Sequence, residues 1–299
     1  MKAAQFERFG GPEVLKIVNL PDPHPGSGDI RIAVHAAGVN ASDWKKRQGL
    51  MDQNLPQTLG YEAAGLVDEI GVGVTDVAIG DRVFGFNSDG AAQAELAVLS
   101  AWAPIPRSLD FAGAAALPSA VETAARALDQ LGVSSGITVL INGASGTIGT
   151  AAVQLAIARG ARVIGTGSPA THEYLRTLGA EPVAYGEGMT ERVLALAPEG
   201  VGLALDAGGS GLPELIELAG GEDHVITIAN FAGAKKYGVR FSSGDSGRAI
   251  YALAQVAELV DSGQFSLLVG RTFPLGDIAE AQRLGETGDV RGKIVLLVD

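Results

Sequence analysis

The residues with the plainest chemical meaning lie in the stretch 137–149, ITVLINGASGTIG, which runs straight into a helix of small residues, TAAVQLAIARG. Ala144-x-Gly146-x-x-Gly149 is a one-letter variant of the G-x-G-x-x-G fingerprint. Its chemistry is main-chain binding of a diphosphate. A residue without a side chain at 146 lets the backbone approach a pyrophosphate, and another at 149 lets the helix lie close to the sheet. The helix start aims free N–H groups and a partial positive charge at phosphate oxygens. The motif follows a buried-strand pattern over 137–142 and opens a helix over 147–159, the context that gives it meaning. Ala144, Ser145, Gly146, Thr147, Ile148 and Gly149 are therefore expected to hold a dinucleotide.

A second strand pattern, 162–166, leads into Gly167-Ser168. A site for NAD normally carries an Asp or Glu about 20 residues past the fingerprint, accepting from the ribose 2′-OH. No carboxylate stands here, and an acid would repel a 2′-phosphate, so the expected cofactor is NADP(H). Gly167, Ser168, His172 and Tyr185 are the candidates for that end of the cofactor. Arg176 either reaches the phosphate or sits on a solvated helix face. No strong cation adjoins Ser168, because Pro169-Ala170-Thr171 follows directly. Ala229 and Phe231, at the end of the apolar run 224–229, complete the cofactor set.

These residues need a scaffold. The first hundred residues read as β-rich, with strands over 30–37, 64–70, 82–86 and 92–99 separated by Gly, Pro and Asp turns suited to a compact barrel. From 111 to 131 the period is helical, with Pro118 breaking or kinking it. Strands and helices then alternate through 229, which implies a parallel sheet covered on both faces. A helix over 248–262, a further helix near 278–286 and a closing strand over 293–298 follow. The segments 87–92 and 232–247 read as loops that shape a substrate mouth, the second of them Gly/Ser-rich and mobile.

Composition narrows the function classes. The chain has 299 residues, 46% of them hydrophobic, enough for one large or two modest domains. A net charge of −12 argues against a surface that tracks nucleic-acid phosphates. With no cysteine there is no disulfide, thiolate nucleophile or Cys-ligated zinc. The start lacks an apolar signal core, and no apolar run is long enough to cross a bilayer. A cytoplasmic protein with no membrane partner is expected.

With those residues in view, the chain resembles the zinc-independent branch of the medium-chain dehydrogenase/reductase superfamily, in particular the NADPH:quinone oxidoreductases of the ζ-crystallin type. The resemblance runs through residues 9–15 (FGGPEVL), 37–44 (AGVNASDW), 59–65 (LGYEAAG), 77–83 (VAIGDRV), 115–118 (AALP), Thr123-Ala124, 206–209 (DAGG) and Arg291-Gly292-Lys293. It implies an α/β fold with two parts, a GroES-like β-barrel domain and a Rossmann domain with a doubly wound parallel sheet. The implied boundaries are 1–108 for the barrel, 109–246 for the NADP-binding domain and 247–299 for a tail returning to the barrel. It further implies a homodimer, and a cleft between the domains for nicotinamide and substrate.

By the same alignment Asn40, Tyr61 and Ser119 stand where zinc-dependent relatives hold their metal, and Glu62 alone keeps its identity. An amide, a phenol and a hydroxyl make a poor zinc site. His24, His35, His172 and His224 lack ligand spacing, so no metal ligand is expected. Without a Lewis acid, the acceptor must carry its own activation: a quinone, or an alkene conjugated to a carbonyl. The protein then has to orient the acceptor and hydrogen-bond the oxygen on which charge develops. Asn40 and Tyr61 are the candidate donors, each with a purely structural hydrogen bond as the alternative, and Thr123 resembles a position near the nicotinamide. Glu62 is expected to orient its neighbours, and Trp44 to wall the pocket or to pack. The expected function is NADPH-dependent hydride transfer to a quinone or enone. The alternatives are a pathway-specific ene or enoyl reductase and an NADPH-binding sensor without turnover.

Overall fold

The structure, a computed structural model, describes residues 1–87, 90–244 and 247–298. Two compact units divide the chain: residues 1–119, 253–262 and 267–299 form the first, and residues 120–252 and 263–266 the second. Among the described residues no helix is long and apolar enough to cross a membrane.

The first unit is built on antiparallel strands. Its longest, Ile30–Val39, pairs with Glu62–Ile70 along most of its length. Its other partners divide it: Ile30–Ala33 pairs with Leu96–Leu99, and Ala36–Val39 pairs with the closing strand Lys293–Leu297. The closing strand therefore brings the last residues of the chain beside the segment that leads into Asn40. Alternating burial on Ile30, Ile32 and Val34 puts one face into a core with Phe6, Leu59, Val67, Leu99 and Leu296. Trp44 lies on a short helix, Ala41–Arg47, and packs against that core; a Cβ on Gly285 would stand 2.9 Å from its ring. Trp44 thus packs.

The second unit carries six parallel strands. In spatial order they are Glu181–Ala184, Arg162–Gly167, Thr138–Asn142, Leu203–Asp206, Val225–Thr227 and Arg240–Phe241. This is the doubly wound order 3-2-1-4-5-6, whose direction reverses between Thr138–Asn142 and Leu203–Asp206. Val139, Leu140 and Ile141 are buried with no exposed face, as expected of a parallel strand covered on both sides. The helix after the fingerprint, Thr147–Ala158, is buried from Gly149 to Ala156, and its Ala151, Ala152 and Ala156 let it lie flat on the sheet. The helical pattern over 111–131 divides at its proline into Phe111–Ala115 and Pro118–Leu131.

The described part of the segment 232–247 holds regular structure where its Gly/Ser content suggests a loop. Phe231–Tyr237 is a helix, capped by Asn230, whose side chain accepts from the Gly233 N–H at 2.7 Å, and it is followed by the strand Arg240–Phe241. Gly233 serves packing: a Cβ there would lie 2.7 Å from Leu212 Cδ1. Residues 245 and 246 of that segment, and 88 and 89 of the loop 87–92, lie outside the described residues.

Candidate functional site

The cofactor candidates collect at one edge. Asn142, Gly167, Ala184, Asp206 and Thr227 are the last residues of their parallel strands, and the loops that follow carry Ala144–Gly149, Ser168, Tyr185 and Ala229 to Phe231. Open parallel sheets bind ligands in the crevice outside these ends, at the point where strand order reverses. At Gly146 a Cβ would meet only Gly143 O, at 3.4 Å, and the helix it caps has no side-chain cap. The first N–H groups of any helix lack partners within it, and Thr147, Ile148 and Gly149 are the first three residues of this one. Gly149 is different: a Cβ would fall 2.1 Å from Gly143 O and 2.8 Å from Ala144 Cα. One glycine keeps room for a ligand, and the other lets the turn close.

The turn is anchored from the neighbouring strand. Thr166 Oγ1 accepts from the Gly143 N–H at 2.9 Å, and the Thr166 carbonyl accepts from the Ala144 N–H at 2.9 Å. Ser168 starts a 3-10 turn, and His172 Nε2 lies 3.4 Å from Gly167 O. Arg176 is exposed and paired with Glu173 at 3.3 Å. Tyr185 is 62% exposed, on a loop pinned by Arg192, whose guanidinium donates to Ala184 O at 2.9 Å and Glu187 O at 2.8 Å. Phe231 is exposed and meets Phe241 edge-on at 5.3 Å.

Beneath these loops runs a row of buried polar side chains that sequence reasoning missed as a site. Thr166 donates to Asn142 Oδ1 at 2.7 Å; Asn142 Nδ2 donates to Asp206 Oδ1 at 2.9 Å; Thr227 Oγ1 donates to Asp206 Oδ2 at 2.7 Å. Asn142, Asp206 and Thr227 end their strands and Thr166 is the last but one of its own; the four strands are adjacent. Asp206 also accepts from the Gly208 and Gly209 N–H groups, and Thr227 Oγ1 from those of Ala229 and Asn230. The row therefore fixes the main chain of the loops at 143, 207–209 and 228–230. Its signal was available: each apolar run carries one polar residue at or near its end.

The first unit holds a second polar cluster. Asn40 Nδ2 donates to Glu62 Oε1 at 2.7 Å, and Lys293 Nζ lies 2.5 Å from Asn40 Oδ1 and 2.6 Å from Glu62 Oε1. The other Glu62 oxygen accepts from the Ser119 N–H at 2.6 Å. Gly38 makes room: a Cβ there would lie 2.2 Å from Glu62 Oε1. Asp43, Glu62, Gln93 and Lys293 are buried, while Asn40 and Ser119 are half-buried. Tyr61, also half-buried, has Lys46 Nζ 4.4 Å from its ring centre. Glu62 orients its neighbours, as its sequence context suggested. This cluster does not suit a zinc ion, because an ammonium already donates to the Asn40 oxygen that would have to bind it. Among the described residues no group of three or more His, Cys, Asp or Glu converges. Thr123, half-buried, lies on the helix Pro118–Leu131 in the second unit.

Asp43 carries a pH dependence. Its Oδ2 accepts from Asn40 N at 2.8 Å and Gln93 Nε2 at 3.1 Å, while Oδ1 is buried without a partner. Burial pushes its carboxyl up from 3.8 to about 6, against the hydrogen bond from Asn40 and the charge of Lys293. Between those two values the folded state holds a proton that the unfolded state has released, so stability falls as pH rises through the window. Relative to wild type, Asp43→Asn should gain about 2–3 kcal/mol on going from below to above that window. Denaturant unfolding at a series of pH values measures this, and a difference that does not change with pH contradicts it.

Two family models match the chain, the first within the first unit and the second across residues of both. Residues 26–113 match the alcohol dehydrogenase GroES-like domain, and residues 178–296 match the zinc-binding dehydrogenase family. The quinone oxidoreductase of Rattus norvegicus is 41% identical over 172 residues, 56% of this chain; the chain spans about half of that relative, 52% of its length. The chloroplastic NADPH-dependent alkenal/one oxidoreductase of Arabidopsis thaliana is 29% identical over 318 residues, covering 99% of this chain and 79% of that one. Among solved structures, the quinone oxidoreductase of Coxiella burnetii superposes with a TM-score of 0.86 at 34% identity, covering 100% of this chain and 99% of the other.

Proposed function

The chain belongs to the medium-chain dehydrogenase/reductase superfamily, with quinone oxidoreductases among its relatives, and from that premise we propose that it is an NADPH-dependent reductase of quinones or α,β-unsaturated carbonyls that works without a metal. The observation that carries this reading is the open main chain at Gly146, at the reversal point of a parallel sheet whose second strand ends without an acid. The names of the rat and Arabidopsis relatives supply the acceptor classes and the reduced phosphorylated cofactor.

In this reading the dinucleotide, when bound, supplies a hydride. Ala144 to Gly149 hold its diphosphate through main-chain N–H groups, and Gly167, Ser168, His172 and Tyr185 receive the adenosine end with its 2′-phosphate. Ala229 and Phe231 complete the cofactor contacts, and Thr123, near the nicotinamide, belongs with Asn40 and Tyr61 in the catalytic set. Asn40 donates to the acceptor oxygen that gains negative charge, and the Tyr61 phenol supplies or relays a proton. A well-aligned donor of this kind lowers the barrier by about 3 kcal/mol. The proposal includes a cytoplasmic homodimer.

The test is acceptor-dependent oxidation of NADPH with a panel of quinones and enones, together with titration of both cofactors. NADPH should bind roughly tenfold or more tightly than NADH, the scale of one charge-assisted hydrogen bond. Tighter NADH binding contradicts the cofactor assignment. Tight NADPH binding with no turnover on any acceptor contradicts the enzyme reading in favour of a sensor.

A further inference from the structure

Lys293 is a buried lysine that the chemistry above does not use. It comes from the closing strand, 253 residues beyond Asn40, and it touches the side chain proposed as donor to the acceptor oxygen. We propose that Lys293 is a positioning residue, which fixes the sense of the Asn40 amide so that an N–H, and not the carbonyl, is left to meet the acceptor oxygen. The inference rests on the reading of Asn40 as that donor.

The argument is one of donors and acceptors. The two ends of an asparagine amide have nearly the same shape, so their surroundings decide which is which. An ammonium can only donate, and Lys293 Nζ stands 2.5 Å from the end assigned as Oδ1. A carboxylate can only accept, and Glu62 Oε1 stands 2.7 Å from the end assigned as Nδ2. Turning the amide over would set NH₂ against ammonium and carbonyl against carboxylate, both repulsive. Lys293 and Glu62 are paired with each other at 2.6 Å and both are buried, so neither charge can turn to water instead. The Ser119 N–H and the lack of a side chain on Gly38 hold Glu62 in place. With Oδ1 accepting from Lys293 and one Nδ2 hydrogen given to Glu62, the second Nδ2 hydrogen is the donor that this half-buried side chain has left to offer.

The test is a double-mutant cycle on the full-length protein, with kcat and acceptor KM measured at saturating NADPH and NADPH affinity measured by direct titration. Lys293→Met should lower kcat about tenfold or more while acceptor KM and NADPH affinity stay within about twofold, the pattern of an interaction felt in the transition state. In an Asn40→Ala background the same change should have no further effect on kcat. Lys293→Met/Glu62→Gln removes the two charges of that ion pair together, so it keeps the proposal testable if Lys293→Met alone does not fold; it should show the same loss of kcat. Lys293→Met with wild-type kcat, or losses that add in the Asn40→Ala background, would overturn the proposal. If Asn40→Ala itself leaves kcat unchanged, the reading of Asn40 as donor fails, and this inference with it.

Discussion

Gly146→Asp should abolish dinucleotide binding and leave the fold intact. Both halves of that expectation follow from local geometry. Gly146 has φ −73° and ψ 166°, ordinary extended backbone that any residue adopts, and its Cβ direction is open. Aspartate is moreover a preferred N-cap, so the helix Thr147–Ala158 should be as stable as before or slightly more so. The carboxylate, however, occupies the N–H groups meant for phosphate and sets like charges side by side. At about 4 Å and an effective dielectric constant near 20 that repulsion is about 4 kcal/mol, on the order of a thousandfold in affinity. The neighbouring Gly149→Ala should behave in the opposite way. Its Cβ would collide with the main chain at Gly143 and Ala144, so the loss appears in stability, by about 3 kcal/mol or more. Cofactor titration and denaturant unfolding of the two variants separate the cases. Unchanged affinity in Gly146→Asp would place the diphosphate elsewhere.

Asp206→Ala should be among the most destabilising single changes in the second unit. The carboxylate accepts from four groups: Asn142 Nδ2, Thr227 Oγ1 and the N–H groups of Gly208 and Gly209. Truncation removes the shared acceptor of all four at a fully buried position, and each buried donor left without a partner costs about 1–3 kcal/mol. Some relaxation is available to the glycine loop, so the net loss should be about 4–5 kcal/mol, comparable with the whole stability of many domains. Thr227→Val tests the same row more gently. It keeps the shape but removes one donor to Asp206 and the acceptor for Ala229 and Asn230. It should cost about 2 kcal/mol and weaken NADPH binding, whereas Thr227→Ser should do little. Equilibrium unfolding decides the matter: wild-type stability in Asp206→Ala would mean that the row is ornamental.

What could be read from the sequence, and what could not, divides by the range of the interaction. The alternation of strands and helices from 138 onward is written in local periodicity, and so is the fingerprint, because a turn that must close on its own backbone dictates its own glycines. The polar residues at or near the ends of the apolar runs, Asn142, Thr166, Asp206 and Thr227, were visible one by one. Their union was not, since it needs the spatial order of strands that the chain visits out of sequence. Helix Phe231–Tyr237 was hidden by its own composition: Gly233 reads as flexibility until Leu212 is seen pressed against it. The short helix Ala41–Arg47 was overlooked although Asp43, three residues after Asn40, is where a helix-start carboxylate belongs, and its Oδ2 does accept from the Asn40 N–H. Glu62 was legible as an orienting carboxylate from its setting. Its buried partner Lys293 was not, because only the pairing of the last strand with Ala36–Val39 brings it there.

The central claim is that this chain passes a hydride from NADPH to an electrophilic carbon with no metal ion taking part. Its most direct test uses NADPH carrying deuterium at both C4 positions of the nicotinamide, an enone acceptor and an excess of chelator, with the product analysed by mass spectrometry and NMR. The account predicts one deuterium on the carbon β to the carbonyl and turnover indifferent to the chelator. Product without label, or activity that disappears on chelation and returns only with added zinc, would contradict it.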